Sequence, residues 1–160
     1  MKYIFSIFFI LLFLGCEKKV LIQKSIDNKP VKFALHTVQC PDCHMEVDTL
    51  QYSAQLISTD GTTYIFDDVG CMVLFIKKHQ EVQIKTLWAY THDTEKYIDA
   101  KKLYYKLADL TPMEYGFCAY EHKQSDMMGY EDMKLMMYRG ENMSDPKIRK
   151  KILGNQIHHG

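Results

Sequence analysis

The chain lacks a surplus of either charge. Lys plus Arg number 20 and Asp plus Glu number 20, so the formal net charge is zero. No strong basic field exists to attract nucleic acid. Long apolar runs are also missing. The one apolar stretch, residues 3–14 (YIFSIFFILLFL), is too short for a comfortable membrane span. Metal-binding repeats are sparse as well: a single CxxC pair occurs, with no second pair and no HxxxH to complete a standard zinc spacing. What is present is ordinary globular stock. The 160 residues suit one compact domain or two very small ones. Hydrophobic residues at 47% and charged residues at 25% argue against a mainly disordered chain. Sulfur stands out, with 10 Met and 5 Cys.

The first residues read as an address. Lys2 gives a positive start, the apolar run follows, and it ends Leu-Phe-Leu-Gly-Cys at residues 12–16. That ending resembles the bacterial lipobox, in which a small residue precedes a cysteine that is acylated and becomes residue one. The resemblance implies residues 1–15 as a lipoprotein signal peptide, Cys16 as the lipidation site, and a protein attached to a membrane by its acyl chains. Each buried CH₂ contributes about 0.8 kcal/mol, so two or three chains anchor stably. Residues 16–33 are charged, lack clean periodicity and contain Pro30, so they read as a flexible tether. Export also sets the redox context, because a compartment outside the cytosol permits disulfides.

Residues 34–140 read as a mixed α+β region. Residues 52–58 alternate as a strand, Asp60-Gly61 marks a hairpin turn, and residues 63–66 return. Asp67 or Asp68 can cap a following helix carrying Met72, Phe75 and Ile76 on one face, with Lys77, Lys78 and His79 at its end. Residues 84–90 form the next strand, giving a ββαβ order. A similar order recurs, with strands at 103–107 and 117–120 and a helix at 126–138 stopped by Gly140. Met133, Met136 and Met137 share a face of that helix and read as core. Residues 141–160 are polar, end in His158-His159, and read as a mobile tail.

Cys40-Pro41-Asp42-Cys43-His44-Met45 is the sharpest local motif. A CxxC pair can form a disulfide, run thiol exchange or bind a soft metal. With His44 it also spells the c-type haem attachment signature, in which Cys40 and Cys43 would form thioethers and His44 would be an axial ligand. Zinc would want four ligands, for which Cys40, Cys43, Cys71 and Cys118 are available. Cu(I) prefers soft thiolate and thioether donors at low coordination, which suits Cys43 beside Met45 and a distant loop methionine. Met113, in Thr111-Pro112-Met113-Glu114-Tyr115-Gly116, is such a residue, although loop methionines also cap cores.

Four segments together resemble the NosL family in order and spacing. They are residues 43–45 (CHM), 66–72 (FDDVGCM), 97–100 (YIDA) and 112–116 (PMEYG). The likeness spans about residues 40–120, and the lipobox fits it. Members usually read Cys-Gly-Met where this chain has Cys-His-Met, and some lack a counterpart of Cys40. The resemblance implies an α+β fold of two small ββαβ units. It implies a non-enzymatic, lipid-anchored Cu(I) chaperone on the periplasmic side of the envelope. Its implied partner is a copper-receiving enzyme of denitrification, nitrous oxide reductase. Cys43 and Met113 are implied as copper ligands, with Met45 and Cys40 as further candidates. Asp67, Asp68 and Cys71 match a family motif without an assigned role; on their own residues, Asp68 reads as a helix cap and Cys71 as a buried helix residue. Two rivals remain beside the chaperone: a monohaem lipoprotein, and a thiol–disulfide exchange protein at Cys40/Cys43. Acidic Asp42 between the cysteines argues against the second.

Overall fold

The computed structural model describes residues 23–108 and 110–157. Cys16, the signal peptide and the final histidine pair lie outside them. The first sheet is built around β2 (Ala54–Ser58), all five residues of which are buried. It pairs antiparallel with β3 (Thr62–Phe66) on one side and with β4 (Ile84–Tyr90) on the other. The Asp60-Gly61 turn closes the β2–β3 hairpin as its residues predict, with Gly61 at φ +84° and the Thr62 N–H donating to Asp60 Oδ1 at 3.1 Å. A short β1 (Gln23–Lys24) and β5 (Tyr97–Asp99) complete the order β1-β3-β2-β4-β5.

Helix α1 (Val69–Lys78) crosses between β3 and β4. Asp68 is its cap: its side chain accepts from the Gly70 N–H at 2.7 Å, and Lys77 and Lys78 occupy the last turn. The face carrying Val69, Cys71, Met72, Val73 and Phe75 is buried. This first unit has the expected ββαβ order. The second sheet, β7-β6-β8, consists of β6 (Tyr104–Leu107), β7 (Phe117–Tyr120) and β8 (Met128–Gly129). Helix α2 (Tyr130–Arg139) follows and ends at Gly140, whose φ of +72° makes the left-handed stop that only glycine adopts freely. Here the short third strand precedes the helix. Met133 and Met137 are buried and Met136 packs against the same cluster, so the methionine stripe is core. A Thr91–Ala119 bridge and the His92 N–H donating to Ala119 O at 2.8 Å join the sheets. One hydrophobic cluster, centred on Leu56, Phe66, Met72, Tyr105, Phe117 and Met133, runs through both. The architecture is α+β.

Two segments differ from their sequence reading. Part of the expected tether lies on the first sheet. β1 pairs with β3, and the buried Gln55 amide exchanges two hydrogen bonds with the Val31 backbone at 2.9 and 3.0 Å. Local periodicity is not needed there, because the edge of β3 and one side-chain amide supply the partners. In place of an irregular tail, residues 141–157 bury Asn142 and Met143 and form helix α3 (Pro146–Ile157). Asp145 starts it, accepting from the Lys147 N–H at 2.7 Å, with proline in the first helical position, where its missing N–H costs nothing.

Gly70 is fixed by space. A Cβ there would fall 2.5 Å from Tyr115 Cδ2 and 2.9 Å from Met137 Cε. Gly70→Ala should therefore lower stability by about 1–3 kcal/mol in denaturant unfolding, the usual cost of overpacking. An unchanged midpoint would show that Tyr115 moves aside freely.

Candidate metal centre

The CxxC motif forms a tight knuckle. Gln39 and Glu46 bridge its base. The Cys40 N–H donates to Met45 O at 2.8 Å, and the His44 N–H donates to Cys40 O at 3.0 Å. The turn requires His44 at φ +62°, a left-handed conformation that glycine adopts without strain. That is a physical reason for a glycine at this position of a CGM motif. Asp42 ties the knuckle to the end of α1 through a 2.6 Å ion pair with Lys78.

The knuckle aims its sulfurs inward. Donor atoms of Cys40, Cys43, Asp67 and Cys71 all lie within 4.8 Å of one another, close enough to hold a metal ion. Cys43 Sγ sits 3.3 Å from each carboxylate oxygen of Asp67. Three elements supply these groups: the knuckle, the β3–α1 turn and the first turn of α1. Cys40, Asp67 and Cys71 are buried, whereas Cys43 is half-buried and forms the open side. Cys40, Cys43 and Cys71 are thiols rather than disulfides.

The charges are unevenly shared. The Cys40 and Cys71 thiols donate toward Cys43, which pulls Cys43 down to about 4. The same contact with Cys43 raises Cys40. Contacts with Cys40 and Cys43, and then burial, push Cys71 far up. Burial, then the neighbouring Cys40, lifts Asp67 to about 7. One negative charge is thus easy to place, and it resides on Cys43. Asp42 does not prevent this, because its carboxylate is engaged by Lys78.

The loop carrying Met113 docks on the same end of α1. Asp68 is fully buried, and besides capping Gly70 it accepts from the Thr111 hydroxyl. Burial raises its carboxyl to about 6 in spite of those bonds. Glu114, at φ +56°, pairs with Arg149 of α3, and the Met143 N–H donates to Tyr115 O at 3.0 Å. Met113 itself is half-buried against the main core. Both candidate loops therefore meet the N-terminal turn of α1, one through Asp67 and the other through Asp68.

Met45 stands on the knuckle with 45% of its surface exposed. His44 is exposed and does not join the cluster. A covalent haem needs both CxxC sulfurs directed at an open pocket, whereas Cys40 is fully buried. Cys118 lies on β7, opposite Lys106 of β6, and Asp67 takes the place in the cluster that the zinc reading gave it. Sequence reading offered Cys71 as a donor only within the four-cysteine zinc set, and it missed Asp67. The visible signal was the pair of acidic residues at a helix start, four residues ahead of a cysteine. Compared with protein-family models, curated proteins and solved structures, the chain gives no match.

Proposed function

We propose that this is a non-enzymatic Cu(I)-binding chaperone, lipid-anchored through Cys16 on the periplasmic side of the envelope. Its cargo passes to a copper enzyme, for which the NosL resemblance names nitrous oxide reductase. The observation that carries the reading is the half-buried Cys43 thiolate, backed by two further thiols within reach. Cu(I) prefers soft sulfur donors and few of them. Cys43 is the ligand on the open side, with Met113 as its thioether partner and Cys40 and Met45 as further candidates. A half-buried thiolate at the rim lets a receiving protein attack the metal as an incoming ligand. Among the described residues no helix is long and apolar enough to cross a membrane. The anchor in this reading is the acyl group on Cys16, as the lipobox resemblance implies.

Titration against a colourless-to-coloured Cu(I) chelator tests the proposal. One Cu(I) should bind per chain. Changes around a metal's ligands alone cost about 10–100-fold, so Cys43→Ser should cost on the order of a hundredfold or more. Cys40→Ser should cost less. Met113→Leu conserves volume and should still weaken binding. Equal competition by parent and Cys43→Ser would end the copper reading. Thiol–disulfide exchange at Cys40/Cys43 is the second reading, favoured by the acidity of Cys43. It requires a Cys40–Cys43 disulfide that oxidises a reduced substrate protein.

A further inference from the structure

Copper delivery needs one thiolate and an open side, yet the cluster holds more than that. Asp67 is a hard oxygen donor and adds little for Cu(I). It is nonetheless buried against Cys43, at 3.3 Å from both carboxylate oxygens. We propose that Cys40, Cys43, Cys71 and Asp67 form a closed four-donor site for Zn(II), and that Asp67 is the residue that separates zinc from Cu(I).

The donor set fits zinc chemistry. Zn(II) takes four ligands in a tetrahedron from cysteine sulfur, histidine nitrogen or carboxylate oxygen, and closed sets of four are structural. Zinc–sulfur bonds of ~2.3 Å and a zinc–oxygen bond of ~2.1 Å place the donors about 3.5–3.8 Å apart. The four groups lie within 4.8 Å of one another before any metal enters, so only a small contraction is needed. Cys40 and Cys71 are fully buried and Asp67 nearly so, which shields three of the four bonds from water.

The connectivity suits a structural role. The knuckle precedes the first sheet's central hairpin in the chain, while Asp67 and Cys71 flank the start of α1. One ion would clasp the knuckle to the core through bonds that bypass the hairpin between them. Metal that binds only the folded arrangement stabilises folding by its binding free energy. The zinc site stands on this geometry alone, whereas the selectivity assigned to Asp67 rests on the copper reading, because the two metals compete for Cys40 and Cys43.

Zinc alone, added to the reduced protein, gives the first measurement, and Co(II) gives a visible spectrum of the same site. One Zn(II) should bind per chain and raise the unfolding temperature. Co(II) should show sulfur-to-cobalt charge transfer with the ligand-field bands of a tetrahedral ion. Asp67→Ala should weaken zinc at least tenfold while Cu(I) affinity stays within about twofold. Cys71→Ser should weaken zinc at least as much. Asp67→Asn is read beside Asp67→Ala, because it keeps the size of the side chain should the alanine variant fold poorly. The Cu(I) titration on each variant reports separately on the copper reading. Zinc affinity unchanged in Asp67→Asn and Asp67→Ala, or a fall in Cu(I) affinity as large as that for zinc, would overturn the assignment of Asp67. A six-coordinate Co(II) spectrum without sulfur charge transfer would overturn the site.

Discussion

A small aromatic disulfide reagent should modify Cys43 first, and should go on modifying it at pH 5. At that pH an ordinary thiol of pKa about 8.5 is thiolate to roughly three parts in ten thousand. Cys43, drawn down to about 4 by the Cys40 and Cys71 thiols, is almost wholly thiolate. The gain is not taken in full, because a less basic thiolate is a poorer nucleophile. With a Brønsted slope of about 0.4–0.5, the lower basicity costs about a hundredfold. The net expectation is a rate about thirtyfold above an ordinary thiol at pH 5, and a profile nearly flat from pH 5 to 8. Cys40 and Cys71 are buried and raised, so they should lag far behind. Mass spectrometry of partially labelled protein assigns the site. Cys43→Ser should abolish the fast phase, and bound metal should protect it. A labelling rate that climbs tenfold per pH unit up to pH 8 would mean that Cys43 is an ordinary thiol, leaving the cluster without its ready charge.

The parts of the fold that were legible in the sequence are those with local causes. Asp60-Gly61 announced the hairpin because a turn of that kind needs a positive φ. Asp68 announced α1 because a carboxylate before an apolar stripe answers the orphan N–H groups of a first turn. Gly140 stopped α2 for the same local reason. The misses have two different causes. Residues 23–31 find their partners on β3 and Gln55, far along the chain, so their own pattern is silent. Helix α3 did have a local signal in Asp145-Pro146, masked by the polar composition of residues 147–157.

The candidate site divides the same way. Cys40 and Cys43 were visible from their spacing. Cys71 was read as a buried helix residue, and it is buried; burial and a place among the donors coincide because the cluster is itself part of the core. Asp67 was eclipsed by Asp68, since one helix start needs only one cap. The fold gives the two neighbours opposite duties. Asp68 faces the loop of Met113, and Asp67 faces the knuckle of Cys43.

Asp68→Ala should cost more stability than any other single carboxylate change among the described residues. The substitution removes the cap of α1, worth about 1 kcal/mol. It also strands the Thr111 hydroxyl in a buried place, at about 1–3 kcal/mol for a donor left unpaired. A loss of about 3 kcal/mol, or roughly 10 °C in the unfolding midpoint, is expected. Asp68→Asn keeps an acceptor for Gly70 and should lose less. Its further use is to isolate the titration of Asp68. Burial lifts this carboxyl from 3.8 to about 6, so the folded protein holds the proton more tightly than the unfolded chain does. The stability it contributes is fully present below about pH 4 and is lost as pH rises through about 6. Asp67, lifted to about 7, acts in the same direction. Cys43 acts in the opposite one: its contribution is present above the ordinary thiol range and is lost as pH falls through about 4. Subtracting the Asp68→Asn curve from the parent curve cancels both of those to first order. The parent should then gain on the variant by up to about 3 kcal/mol between pH 7.5 and pH 4. Denaturant unfolding at four or five pH values measures this directly. Curves that stay parallel would show that Asp68 titrates like a solvated carboxylate and does not clamp the Met113 loop from a dry interior.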